Sequence, residues 1–330
     1  MTRRVSLLLA AAGLALVAAA LAGLKLGAVD LPWTALPGLL TAGDGGVEAV
    51  IVRDLRLPRV LLAMLVGAGL AGAGAAYQAL FRNPLAEPFV IGASSGAALG
   101  ATTLLVTGVA VALVPLAAFG GALAAVVLVY LLGGVGGRSG IVTLLLAGAA
   151  VTTVLDAAVS LVMIVEDQSL HAVFGWLLGG FAAARWDQLA WGAPMILAGI
   201  AWIWLLARPL DALSLGDETA RSLGLSPLQG RVSVVAAASL ATAAAVSVAG
   251  IIGFVGLMAP HAARLLFGAR HRLLVPASCL LGALLVVAAD LAARTVAVPR
   301  EVPVGVVTAL VGGPFFLYLL RSRSVLGAAR

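Results

Sequence analysis

Apolar residues fall in ten long runs along the chain, each separated from the next by a short polar or Pro/Gly-marked stretch. The runs are Val5–Leu24, Val60–Leu80, Pro88–Val106, Val109–Leu132, Ile141–Ile164, Leu189–Leu206, Val232–Val248, Leu257–Phe267, Leu273–Ala297 and Val304–Leu320. They are continuously apolar rather than alternating, which predicts helices and not the strands of a transmembrane barrel. The eighth is too short to cross about 30 Å of hydrocarbon alone, so it is expected to work with the non-helical Gly250–Gly256 before it. The pattern predicts an all-α integral membrane protein of about ten transmembrane helices, some broken or short, folded as a single transmembrane unit over 1–330. The first run follows Arg3 and Arg4 and ends in small residues, as a signal peptide does. Its apolar stretch exceeds the usual core of about 7–15 residues, so it is read as a retained first span.

Composition agrees with this reading. Of 330 residues, 62% are hydrophobic and 10% charged, against about 25% charged in a soluble domain. The 40 glycines suit helices that approach closely in lipid, where small residues let backbones touch. With the N-terminus inside, Lys25, Arg53, Arg56, Arg59, Arg185, Arg294 and Arg300 fall outside and the other thirteen of the 20 basic residues inside. That is the positive-inside direction, and it places both termini in the cytoplasm. A nine-span reading would move Arg321–Arg330 outside and weaken the bias. The net charge of +6 does not indicate a nucleic-acid partner, because no basic run exceeds two adjacent residues and the arginines sit as loop anchors between apolar blocks.

Catalytic chemistry has no visible support. The lone lysine, Lys25, lies between Leu24 and Leu26, so no Gly-rich phosphate loop is built around it. His171, His261 and His271 form no His-x-x-x-His pair, and the single Cys279 permits neither an internal disulfide nor a metal cluster. The informative polar groups lie elsewhere. Asp156 sits mid-span, either lining a pathway or relaying protons, or bonded to Thr152 or Thr153 one turn away. Asp290 precedes Arg294 by four residues, the favoured acid-then-base order on a helix. The longest cytoplasmic loop is Ala207–Arg231. Its centre, Leu215–Leu225, predicts a short amphipathic helix with Asp217 and Glu218 at its start, Gly224 at its C-cap, and Leu215, Ala220 and Leu223 along one side. Too short to stand alone, and poor in the basic residues of a membrane-surface helix, it points to a protein partner.

The sequence resembles the FecCD family, permease subunits of the iron-siderophore, haem and vitamin B12 class of ATP-binding-cassette importers. The resemblance rests on seven ordered motifs: RLPR (Arg56–Arg59), GAGLAGAGAAYQALFRNPLAEP (Gly67–Pro88), IGASSGA (Ile91–Ala97), LGDETARSLGL (Leu215–Leu225), GIIGFVGLMAPHAARLLFG (Gly250–Gly268), ADLAAR (Ala289–Arg294) and EVPVGVVTALVGGPFFLYLL (Glu301–Leu320). It implies ten helices with both ends inside, in the cell inner membrane. It implies that Arg56, Arg59 and Arg294 face outward to pair with glutamates of a substrate-binding protein, and that Asn83 and Leu85 contribute to a cytoplasmic gate. A second part of that gate is implied at Ser139 and Thr143, although GGRSGIVT carries glycine and aliphatic residues where the family is hydroxyl-rich. The segment Leu215, Gly216, Asp217, Glu218, Ala220, Arg221, Leu223 and Gly224 corresponds to a coupling helix seated in an ATPase subunit. Asp156, Gly312, Gly313 and Phe316 are expected to line the route. The implied partners are a second copy of the chain, two ATPase subunits that bind the ATP and Mg, a binding protein and a metal chelate, with no cofactor or metal held by this chain. Ferric siderophore is the expected cargo, with corrinoid or haem as alternatives. An ion-coupled secondary transporter using Asp156 and Asp290 is the rival class.

Overall fold

The computed structural model describes residues 3–27, 29–41, 46–108, 111–133, 141–165 and 169–321. Every regular element among them is helical. After α1 (Arg3–Lys25), two short helices, α2 (Leu36–Thr41) and α3 (Gly46–Val50), lead through a π-helical stretch (Ile51–Arg56) into α4 (Leu57–Leu80). A 3-10 turn (Pro88–Ile91) precedes α5 (Ala93–Thr107), and another (Val111–Leu113) precedes α6 (Val114–Leu132). Then come α7 (Ile141–Val165), the short α8 (Leu170–Leu177), α9 (Trp186–Leu205), α10 (Ala207–Leu215), α11 (Asp217–Ser222), α12 (Pro227–Ala249), α13 (Val255–Phe267), α14 (His271–Thr295) and α15 (Val304–Arg321). The ten predicted spans correspond to α1, α4, α5, α6, α7, α9, α12, α13, α14 and α15. Eight are long and apolar enough to cross a membrane; α5 and α13 are shorter.

Packing is set by small residues. α4 and α12 form the buried centre, while α1, α7 and α15 lie on the rim with side chains such as Leu14, Leu146 and Leu310 exposed. A Cβ on Gly67 of α4 would overlap the Gly282 carbonyl of α14, and one on Gly96 of α5 would overlap the Gly121 carbonyl of α6. Close backbone approach of this kind is how helices gain packing energy in lipid, where burial of apolar surface drives little association.

Two of the spans are broken, and the breaks meet. α4 ends in a Schellman motif, in which Asn83 N–H donates to the Gln78 carbonyl (3.1 Å) and Arg82 N–H to the Ala79 carbonyl (3.2 Å). Arg82 occupies the left-handed position of that motif at φ 51°, where glycine is the usual residue. The Asn83 side chain then accepts from Leu85 N–H at 3.0 Å. The second break runs from Gly250 (φ 68°) to Phe254 (φ 66°). The Glu87 carboxylate accepts the Phe254 N–H at 2.8 Å, and Gln78 Nε2 donates to the Gly256 carbonyl at 3.2 Å. Backbone groups freed by the breaks are thus satisfied by protein, the condition for irregular chain within a membrane protein.

Two local expectations change. The RLPR segment is not a loop: the helical path is continuous from Gly46 to Leu80. The predicted Leu215–Leu225 helix is shorter, Asp217–Ser222, because Gly216 at φ 122° and ψ 161° separates it from Leu215 at the end of α10.

Candidate docking, gate and coupling sites

At the side assigned outward by charge, the three arginines are turned inward. The Arg56 guanidinium donates to the carbonyls of Leu24 (2.8 Å), Lys25 and Val29, closing the end of α1 onto the start of α4. Arg294 donates to the Gly23 carbonyl at 2.7 Å. Arg59 holds Asp290 through Nε (2.9 Å) and Nη2 (2.8 Å), and Glu301 through Nη1 (3.0 Å). Asp290 is also 3.5 Å from Arg294 Nε, so the expected i,i+4 pair exists but is the longer of its two contacts. Arg56, Arg294 and Asp290 are buried. The expectation of three guanidiniums presented outward therefore changes: Arg56 and Arg294 are bonded to their own chain's carbonyls, and Arg59, part-exposed beside the exposed Glu301, is the member nearest to solvent. Arg59 and Glu301 also border a recess of about 440 Å³ lined by Trp176 and Gln188.

The inner break places Asn83 in solvent and Leu85 at intermediate exposure. Thr143 is exposed in the first turn of α7, and Ser139 lies outside the described residues.

The coupling segment is organised around two carboxylates. Asp211 of α10 accepts from His271 N–H (3.0 Å) and contacts His271 Nδ1 (2.6 Å), which fixes α10 to the start of α14. Asp217, the first residue of α11, accepts from Arg82 Nη2 at 2.6 Å and from Arg231 Nη2. Partial desolvation alone would raise this carboxyl's pKa, but the hydrogen bonds and charges of Arg231 and Arg82 prevail and hold it below the usual aspartate range. It is ionised at neutral pH. Ala220 is buried, whereas Leu215 and Leu223 are 72% and 65% exposed. The single apolar side expected of Leu215, Ala220 and Leu223 is therefore split, with Ala220 turned inward and the two leucines outward. Glu218 and Arg221 are exposed. Gly224 (φ 77°) closes α11 with a Schellman bond from Leu225 N–H to the Ala220 carbonyl (3.0 Å), as its C-cap role predicts.

Along the expected route, Asp156 projects exposed from the side of α7. Thr153 donates to the Ala149 carbonyl (2.9 Å) and Ser160 to the Asp156 carbonyl (2.9 Å), so these hydroxyls bond backbone. An acid exposed on a span cannot face lipid cheaply. Gly313 opens on empty space and Phe316 is part-exposed, but Gly312 is buried against the Phe254 ring and serves packing.

Sequence reasoning missed Glu87, Arg82, Arg231, Asp211 and Glu301 as organising residues. Their partners lie 14 to 242 positions away, and local spacing carries no sign of them.

The FecCD transport family matches residues 14–322. A cobalamin import system permease protein of Halobacterium salinarum is 44% identical over 300 residues, covering 89% of this chain and 81% of that protein. A hemin transport system permease protein of Yersinia pestis is 42% identical over 276 residues, covering 81% and 82%. A metal-chelate type ABC transporter solved in an inward-facing conformation superposes with a TM-score of 0.86 at 31% identity, covering 95% of this chain and 98% of that one.

Proposed function

The chain belongs to the FecCD transport family, and on that premise we propose that it forms, with a second copy of itself, the membrane path of an ATP-driven importer of a metal chelate. It is a multi-pass protein of the inner membrane and a permease subunit. The observation that carries the reading is the α10–α11 unit: two exposed leucines on a helix pair broken at Gly216, fastened by Asp211 and Asp217 to α14, α4 and α12. A surface of this kind suits a soluble subunit that pushes on it.

In this reading two ATPase subunits bind ATP and Mg and dock on α10–α11, while this chain hydrolyses nothing itself. A loaded binding protein docks at the outer face beside Arg59 and Glu301. In this reading a closed two-fold pairing of such subunits has the exposed α7 face with Asp156 and the open space at Gly313 line the route. Asp290 is committed to Arg59, which counts against its use as a proton carrier in an ion-coupled mechanism.

Within the class we assign ferric siderophore as cargo. Corrinoid is the second reading, favoured by the 44% identity to a cobalamin permease. Uptake into proteoliposomes holding the chain and its ATPase should require ATP, the ATPase and a loaded binding protein, and should survive a proton ionophore. Uptake that persists without the ATPase and stops with the ionophore would overturn the reading. Calorimetry of the binding protein with a ferric siderophore and with cobalamin separates the two cargoes.

A further inference from the structure

We propose that Asp217 is a positioning residue that carries displacement of α11 to the break at the inner end of α4, through a carboxylate shared by Arg82 and Arg231. The proposal rests on the reading of α10–α11 as the ATPase-facing unit.

Three observations converge on it. First, Gly216 breaks the helical path in a conformation that favours glycine (φ 122°): α10 on one side is fixed to α14 by Asp211 and His271, and α11 begins immediately on the other. Second, Arg82 grips both sides of that break. Its Nε donates to the Leu213 carbonyl in the last turn of α10 (3.1 Å) and its Nη2 to Asp217 (2.6 Å). Third, Arg82 holds a left-handed backbone conformation at φ 51°. α11 ends in the same Schellman geometry with Gly224 at the equivalent position, where no Cβ opposes it. At the end of α4 an arginine occupies it, held there by the backbone bonds of the motif together with its side-chain bonds to Leu213 and Asp217. A swing of α11 about Gly216 cannot leave Arg82 undisturbed. Either the Asp217 bond opens and the Arg82 backbone relaxes, or the side chain drags the backbone with it. Both alter the point at which the chain leaves α4, one residue before Asn83 and three before Leu85. All three side chains are partly exposed, so the bonds can exchange with water and reform within a cycle.

The test uses the whole assembly in proteoliposomes: permease, ATPase and loaded binding protein. Asp217→Asn should keep its ATPase through purification and keep hydrolysing ATP, while ATP consumed per chelate imported rises roughly tenfold, the scale on which an altered coupling element acts. Arg82→Gln should do the same, the double variant should be no worse than either single one, and Asp217→Glu should recover most of the coupling. Unchanged stoichiometry in Asp217→Asn, or additive losses in the double variant, overturns the proposal while wild-type uptake keeps the importer reading intact. Loss of the ATPase from Asp217→Asn also overturns it, making Asp217 a docking contact. Absence of ATP-dependent uptake in the wild type removes the importer reading and the proposal with it.

Discussion

At the outer face Asp290 is 2% exposed and lies between Arg59 and Arg294, whereas at the inner face Asp217 is 29% exposed and lies between Arg82 and Arg231. Both are aspartates bridging two arginines from different helices, but they are built for different uses. A buried pair is costly to break, since removal of one partner strands the other charge in a poor solvent. A part-exposed pair contributes little net stability, because water takes the place of either partner. The outer cluster therefore fixes geometry, binding α1, α4 and α14 into a platform. The inner one spans the break at Gly216 between α10 and α11. The outer arginines thus share a buried carboxylate and the inner ones a part-exposed carboxylate.

The largest effect that would break this contrast is at Asp290. Asp290→Ala leaves Arg59 and Arg294 without their shared carboxylate and should cost about 3–5 kcal/mol of stability, read as a lowered thermal transition in detergent. Asp217→Ala should shift the same transition far less. Equal shifts would mean that the two clusters are of one kind. A smaller effect is expected where the two helix breaks meet. Glu87→Ala leaves the Phe254 N–H without its acceptor and should cost about 1–3 kcal/mol; Glu87→Gln, which still accepts, should recover most of it in the same melt. The smallest effect sharpens the account of the outer face. Glu301 is 43% exposed on its side of Arg59, so Glu301→Gln should leave the melt almost unchanged. It frees Arg59 for a partner's carboxylate, and binding-protein affinity by surface plasmon resonance at low salt should rise about twofold to fivefold, the equivalent of an exposed ion pair. A fall in affinity would make Glu301 itself a contact.

The eight long spans were legible because hydrocarbon permits little else: about 20 apolar residues in a row have one stable spanning form; α5 and α13 are the shorter members of the ten. Pro84 and Gly250 marked the two breaks for the same reason that they mark turns elsewhere. The left-handed Arg82 and Phe254 were not legible, since neither residue type announces that backbone, and only the contacts around them select it. Gly216 was read as helix interior, and Asp217 and Glu218 as equivalent acids on one exposed turn. In the fold one holds Arg82 and Arg231 and the other faces solvent. Charge grouped Arg56, Arg59 and Arg294 at one end of the bundle, where the structure has them together, but their burial was hidden because their partners, Leu24, Asp290 and Gly23, sit 32 or more positions away along the chain. Sequence periodicity reports which way a helix faces; it does not report what a charge meets there.

Hydrogen–deuterium exchange on the complete importer, with and without trapped nucleotide, tests most directly whether the break at Gly216 moves while the outer platform stays fixed, because it reads local opening of backbone hydrogen bonds without any substitution. Nucleotide should change exchange in residues 79–87 and 211–225 together and leave residues 52–60 and 289–303 as they were. Nucleotide-dependent exchange at the outer segments, with the Gly216 break and the inner end of α4 unchanged, would contradict the account.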